Sequence, residues 1–200
     1  MERRDTVYHI LKIQDAVQGY VTVTVSEDGE QKSYTLRLAV YIELGSPARG
    51  DTIDDDAMQT LRRADEYYRG KRAALSILSY GDNNAKTLHQ KLCMRSISDE
   101  TAEEIVHEMI SLGYINESRQ LERLILEDMN RKLLGPKKVI HSLLSKGYSL
   151  ADIKEAYEAL SRSGEIDINK NKERVIEKHL GDDRDPEQLR RLLFKYGYDF

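Results

Sequence analysis

Five positively charged side chains lie close together in a chain whose net charge is −4. Between positions 130 and 146 the sequence has no acidic residue and contains the cations Arg131, Lys132, Lys137, Lys138 and Lys146. A local group of this kind can bind phosphates or an acidic protein surface. Arg131, Lys132 and Lys146 also end predicted helices, where cations complement the helix dipole. Lys137 and Lys138 begin a helix, where cations are mildly unfavourable, and are therefore the stronger candidates for binding.

Residue types that carry catalysis are present in the sequence but are not grouped. The five histidines are His9, His89, His107, His141 and His179. None lies in an HExxH or G-x-S-x-G motif or beside the cysteine, and no glycine-rich loop offers a phosphate cradle. Glu103, Glu104 and Glu108 share a predicted helix, where a solvated face explains them better than an acid–base pair. The pattern predicts a protein that is not an enzyme and that holds no cofactor and no metal.

The single cysteine, Cys93, excludes an internal disulfide and a cysteine-rich zinc site, and it fits a reducing cytosol. Its place on the apolar side of a predicted helix favours a packed thiol over a nucleophile. No apolar run reaches the roughly 18 residues that a membrane-spanning helix needs. The first residues also lack the apolar segment of a signal peptide. We predict a cytoplasmic protein that does not contact membranes and is a monomer.

The most regular pattern in the sequence is a helix with its own start and stop signals, at residues 133–149. Gly135 is expected to close the preceding helix in the left-handed conformation, and Pro136 suits the first helical position. An apolar stripe follows, made by Val139, Ile140, Leu143 and Leu144. Gly147 is expected to end the helix. Ser149 is expected to cap the next helix, with Asp152 at the reciprocal position of a capping box.

The same pattern recurs fifty residues later and, more weakly, fifty-one residues earlier. The later copy begins at Pro186, ends at Gly197 and has the apolar stripe Leu189, Leu192, Leu193 and Phe194. In the earlier copy Ser96 replaces the stop glycine. A glycine that is expected to end a helix is followed directly by tyrosine at three places, Gly113-Tyr114, Gly147-Tyr148 and Gly197-Tyr198. Helix-end packing explains these tyrosines, and base stacking is the alternative.

The first fifty residues have the alternating pattern of β-strands. Strands are predicted at residues 7–13, 21–25 and 36–42, with a hairpin turn at Asp28-Gly29. Three short strands are marginally stable alone, so we expect the sheet to rest on the following helix. Asp54, Asp55 and Asp56 open that helix; capping explains them better than a metal site. Gly70 is expected to interrupt or bend it.

The predicted fold class is mostly α, with tandem three-helix repeats in an elongated array preceded by a small antiparallel β-sheet at the N-terminus. The predicted domains are a β-rich region (1–50), a linking helix (51–70), helical repeat 1 (71–116), helical repeat 2 (117–165) and a truncated helical repeat 3 (166–200).

Several motifs, in order, resemble those of the RecX family of RecA regulators. Gly113-Tyr-Ile-Asn-Glu-Ser-Arg119 is similar to the family's G-Y-hydrophobic-polar-x-x-R signature. Gly135-Pro-Lys-Lys-Val-Ile140, with Leu143 and Lys146-Gly-Tyr148, resembles its G-P-x-x-I-x-x-x-L-x-x-K-G segment. Ala74-Leu-Ser-Ile-Leu-Ser-Tyr80 resembles the opening of its first repeat. Gly50-Asp51 ahead of a helix resembles the extended N-terminus of some members, so the match covers about residues 40–200.

The resemblance implies a non-enzymatic protein that binds the RecA–DNA filament and modulates, most simply inhibits, its ATPase, strand exchange and co-protease activity. It implies a role in recombination, DNA repair and the SOS response, with single- or double-stranded DNA as a further partner. Gly81-Asp-Asn-Asn84 departs from the family's basic run before the second helix, and the acidic net charge differs from more basic members. Two alternatives stay open: a RecA-independent DNA-binding protein, and a helical adaptor for another protein.

Overall fold

The computed structural model describes residues 7–17, 19–181 and 185–199 of the 200-residue chain. In chain order its elements are β1 (Tyr8–Asp15), β2 (Tyr20–Glu27), β3 (Glu30–Arg37), α1 (Leu38–Glu43), β4 (Thr52–Ile53), α2 (Asp55–Ser79), α3 (Ala85–Cys93), α4 (Asp99–Ser111), α5 (Glu117–Leu126), α6 (Pro136–Ser145), α7 (Leu150–Arg162), α8 (Ile168–Leu180) and α9 (Pro186–Tyr196). The predicted class, mostly helical with a small antiparallel sheet at the N-terminus, is confirmed.

The chain folds as two compact units. The first contains Met1–Gly81 and Leu88–Ser111, and the second contains Asp82–Thr87 and Leu112–Phe200. The first unit holds the sheet with α2 and α4, and the second holds α5 to α9. The start of α3 belongs to the second unit and the rest of α3 to the first. None of the described helices is long and apolar enough to cross a membrane.

The N-terminal sheet has the strand order β3-β2-β1-β4, with antiparallel pairing throughout. Asp28 and Gly29 join β2 to β3 with φ values of 51° and 81°. Two positive φ values are typical of a type I′ turn, so the predicted hairpin is confirmed. The buried face of the sheet packs on Met58 and Leu61 of α2, as expected. Asp54 caps α2 by accepting a hydrogen bond from the Ala57 N–H at 2.8 Å.

The predicted third strand, residues 36–42, was wrong from Leu38 onwards. The strand ends at Arg37, and residues 38–43 form the short helix α1. Leu38 and Ile42, which the alternating pattern placed inside, are 44% and 59% exposed. Val40, Tyr41 and Leu44 instead pack against the sheet core. These three positions share a helical face. Because Val40 belongs both to this face and to the alternating strand pattern, the sequence did not distinguish the two.

Gly70 does not interrupt α2, which runs from Asp55 to Ser79. A Cβ at Gly70 would lie 2.5 Å from Cδ1 of Ile105 in α4 and 3.4 Å from Ile97. The glycine therefore allows α2 and α4 to pack closely. As a result, the predicted linking helix and the first helix of repeat 1 form one continuous helix.

The predicted stop signals close their helices with one backbone geometry. Gly147 and Gly197 have φ values of 94° and 85°. The N–H of the tyrosine after each one donates to the carbonyl five residues earlier, at 3.2 and 2.9 Å. This is the Schellman arrangement. Ser96 replaces glycine in the weak copy and still has a φ of 60°, with the next N–H bonded to the carbonyl five residues earlier at 3.3 Å.

Two of the three tyrosines pack at helix ends as predicted. Tyr148 and Tyr198 are 7% and 4% exposed, whereas Tyr114 is 56% exposed. Tyr148 belongs to the core of repeat 2, and Tyr198 to a separate core around α8 and α9. The two helices of repeat 3 are described, and Phe200 lies outside the described residues.

Candidate partner-binding surface

The segment between α5 and α6 forms a tight elbow. Residues Glu127–Arg131 continue α5 as a π-helical turn. The left-handed residue that follows is Leu133, with a φ of 55°, and not Gly135 as predicted. Gly135 is extended, with φ −77° and ψ 164°, and precedes Pro136 at the start of α6. The expected start of the helix at Pro136 is therefore confirmed.

Close contact with the end of α9 explains the glycine at position 135. A Cβ on Gly135 would lie 2.5 Å from the carbonyl carbon and oxygen of Gly197. A Cβ on Gly197 would in turn lie 2.8 Å from the backbone nitrogen of Lys138. The Gly135 N–H donates to the Tyr196 carbonyl at 2.8 Å. The two glycines thus let the elbow and the end of α9 meet backbone to backbone.

The hydroxyl of Tyr198 fixes the other side of the same contact. It donates a hydrogen bond to the Leu133 carbonyl at 3.1 Å. Burial raises the pKa of Tyr198 to about 12. The buried hydroxyl therefore ties Leu133 to the residue that follows the end of α9.

Three of the five predicted cations have acidic partners, which come from outside the 130–146 stretch. Lys132 pairs with the buried carboxylate of Asp128 at 2.8 Å and with Glu127 at 3.3 Å. The hydrogen bond with Asp128 raises the pKa of Lys132, and the hydrogen bond from Lys132 lowers the pKa of Glu127. Arg131 also pairs with Glu127, at 3.3 Å. Lys132 therefore stabilises the elbow.

Lys137 pairs with Asp199, and both side chains are largely exposed. An exposed pair of this kind is worth about 0–1 kcal/mol and is screened by salt, so Lys137 can exchange Asp199 for another anion. Lys138 and Lys146 have no ion pair with any residue that the structure describes. Lys146 follows the last turn of α6, about 12 Å along the helix axis from Lys138. The structure therefore brings Lys137 and Lys138 together at the elbow and places Lys146 apart from them.

Phe194 is the residue of this surface that the sequence analysis misplaced. It was assigned to the apolar stripe of α9, yet its side chain is 84% exposed. Leu144, fifty residues earlier, is also 43% exposed, so the last apolar position of the repeat faces solvent in both copies. The sequence alone does not show this agreement, because it appears only once the exposure of each position is known.

Phe194, Lys137 and Tyr198 line two neighbouring hollows in the surface. The first has a volume of about 540 Å³ and is lined by Leu134, Lys137, Lys138, His141, Ser142, Phe194, Gly197 and Tyr198. The second, of about 420 Å³, is lined by Lys137, Glu187, Arg190, Arg191, Leu193, Phe194, Tyr198 and Asp199. We call Lys137, Lys138, Arg190, Arg191 and Phe194 the elbow surface.

The elbow surface combines positive charge with an exposed aromatic ring. The first hollow contains two lysines and no carboxylate. Such a surface can attract phosphates or carboxylates and can stack or pack against a flat apolar group. It presents no nucleophile paired with a base. Fold and surface together define a class: a helical-repeat protein with a small N-terminal sheet and an exposed surface that carries cations and an aromatic ring.

Comparison with known proteins agrees with this class. No protein-family model matches the chain. The chain is 24% identical over 119 residues to a protein of Clostridioides difficile (strain 630) named Regulatory protein RecX, covering 60% of this chain and 56% of that protein. It is 25% identical over 154 residues to the protein of the same name from Clostridium tetani (strain Massachusetts / E88), covering 74% and 70%.

The fold is also found in a solved structure. A crystal structure of a regulatory protein RecX matches with a TM-score of 0.70 and 19% sequence identity, over 96% of this chain and 95% of that one. At this identity the likeness concerns the fold alone. With the curated relatives, it confirms the resemblance of this chain to the RecX family that its motifs indicated.

Proposed function

We propose that this chain is a non-enzymatic regulator of the RecA recombinase, which binds the RecA–DNA filament and inhibits its ATPase, strand exchange and co-protease activity. The observation that carries the proposal is the match, over 74% of this chain, to a protein named Regulatory protein RecX. The elbow surface supports it, since it places exposed cations beside the exposed ring of Phe194. The protein is proposed to act in the cytoplasm.

In this proposal the elbow surface is a contact site for the filament. Lys137 and Lys138 would meet DNA phosphates or acidic side chains of RecA, and the exposed ring of Phe194 would be buried on binding. Arg131 and Lys146 would add charge at longer range, whereas Lys132 would act mainly by holding the elbow. Because exposed charges are screened at physiological ionic strength, inhibition is expected to weaken as salt is raised.

The test measures the DNA-dependent ATPase of RecA on single-stranded DNA while the chain is titrated in. At low salt we expect hydrolysis to fall as the chain approaches a stoichiometric ratio. Lys137→Glu with Lys138→Glu should weaken inhibition at least about tenfold, because both cations become repulsive. The matched control is Lys154→Glu with Lys170→Glu, which makes the same charge change on exposed positions of α7 and α8.

Two results would count against the proposal. Undiminished ATPase at a stoichiometric ratio and low salt would reject RecA regulation. Equal inhibition by the elbow double variant and its control would remove the elbow surface from the contact. Circular dichroism of both variants must match the parent chain for either comparison to hold.

The elbow surface also favours a second candidate, a DNA-binding protein that acts without RecA. An exposed aromatic side chain flanked by cations is suited to stacking on an unpaired base, which is worth about 1–3 kcal/mol per base. Under this alternative Phe194→Ala weakens single-stranded DNA binding more than duplex binding in the absence of RecA. No measurable DNA affinity at low salt would exclude it.

A further inference from the structure

Three side chains that can ligate metal meet at the turn between α3 and α4. His89 and Cys93 lie four residues apart, so they share one face of the last turns of α3. Ser96 then reverses the chain in its left-handed conformation, and Asp99 begins α4. One ligand atom from each of the three side chains lies within 4.8 Å of the other two.

No histidine is adjacent to the cysteine in the sequence, but the helix places His89 next to it in space. The Cys93 sulfur lies 3.8 Å from Nδ1 of His89 and 4.0 Å from Oδ1 of Asp99. Nε2 of His89 lies 3.3 Å from the same carboxylate oxygen. Nε2 of His89 also lies 3.4 Å from the backbone carbonyl of Asp99, and the Cys93 thiol can donate to the Asp99 carboxylate, so hydrogen bonds hold the three side chains together. The same cluster offers one nitrogen, one sulfur and one oxygen ligand to a metal ion.

An imidazole gives one nitrogen to an ion, and with one ligand atom from each residue the three atoms lie within 4.8 Å of one another, which is wider than the spacing in a tetrahedral zinc site. With ordinary bond lengths to sulfur, nitrogen and oxygen, neighbouring ligand atoms of Zn²⁺ lie roughly 3.3–3.6 Å apart. Small rotations of the Cys93 and Asp99 side chains would bring their atoms to that spacing. The mixed sulfur, nitrogen and oxygen donors suit Zn²⁺ or Co²⁺, whereas Mg²⁺ and Ca²⁺ require oxygen ligands.

We propose that His89, Cys93 and Asp99 bind a zinc ion. The Cys93 thiol loses its proton to solvent when the sulfur–metal bond forms. The side chain of Asp99 is 88% exposed, and that of His89 is 29% exposed, so the ion is accessible and its fourth position is open to a solvent molecule. The ion would join the end of α3 to the start of α4 and fix the Ser96 turn between them.

The test uses Co²⁺ as a spectroscopic probe on the full chain after chelator treatment. Cys93 is the single cysteine of the chain, so a thiolate-to-cobalt charge-transfer band can arise only from this position. We expect such a band, with tetrahedral ligand-field bands and one ion bound per chain. Zn²⁺ should abolish these bands and raise the thermal midpoint of the apo chain.

Single substitutions test the geometry of the site. Cys93→Ser should remove the charge-transfer band, and His89→Ala or Asp99→Asn should weaken Co²⁺ binding by about tenfold or more. His107→Ala, which removes an exposed histidine from α4, is the matched control and should bind like the parent chain. The proposal is overturned if no band forms, if the His89 and Asp99 variants bind as tightly as the parent, or if two chains share each ion.

Discussion

Replacing Gly135 with alanine tests whether the elbow depends on backbone contact with α9. Alanine readily adopts the extended conformation of this residue, so the substitution carries no dihedral penalty. Its methyl group would lie 2.5 Å from the carbonyl group of Gly197, which cannot move independently of α9. The elbow and the helix end must separate, and the 2.8 Å hydrogen bond from Gly135 to Tyr196 is expected to break.

The expected cost of this substitution follows from three contributions. Overpacking costs about 1–3 kcal/mol, and the loss of a buried backbone hydrogen bond costs about 1–3 kcal/mol. The lower entropy of the unfolded alanine chain offsets about 0.4–1 kcal/mol. We expect the free energy of unfolding to fall by roughly 1–5.5 kcal/mol.

Urea denaturation followed by circular dichroism measures this change, and limited proteolysis should show earlier cleavage around α8 and α9. Gly164→Ala is the control, because its Cβ meets nothing within 4 Å and its cost comes only from a φ of 77°. That cost is about 1–2 kcal/mol. A loss below about 0.5 kcal/mol for Gly135→Ala, within the range of ordinary surface substitutions, would refute the contact argument.

Two further predictions concern the first unit. Ser96→Gly should stabilise the chain by about 0.5–1 kcal/mol, because glycine adopts the left-handed conformation without strain; an unchanged or lower thermal midpoint would contradict this. Hydrogen bonds from Tyr34, Arg62 and Lys32 hold the pKa of Glu27 at about 2, below its ordinary value. The folded pKa is depressed, so this stability is present above about pH 4.3 and is lost as the pH falls towards 2. Glu27→Gln should lower stability by about 1–2 kcal/mol at pH 7 and should reduce the loss of stability as the pH falls in a denaturation series. An equal acid-dependent loss in parent and variant would show that Glu27 does not cause that loss.

The helices were predictable because their signals are local. Pro136, Gly147 and Ser149 each act on the backbone within a few residues, and each was found in its expected place. Ser96, which lies fifty-one residues before Gly147 in place of a stop glycine, is left-handed as well. The strand prediction failed at residues 38–42, where the alternating and helical patterns overlap and packing against the sheet decides between them.

The candidate surface was only partly predictable. The sequence identified Lys137 and Lys138, but it did not reveal that Lys132 pairs with Asp128 or that Lys137 pairs with Asp199. It also placed Phe194 in the core. Charge on a helix can be read along the chain, but the partners that neutralise it, and the exposure of each apolar side chain, depend on how helices pack.

By itself, the sequence determined the helical repeats, the hairpin and the stretch that carries the cations, because turn, cap and periodicity signals act between neighbouring residues. Only the tertiary structure decided why Gly135 and Gly197 lack side chains, which apolar positions face solvent, and how closely His89 and Cys93 approach Asp99. Those features depend on contacts between separate elements, and the spacing of residues along the chain does not specify such contacts.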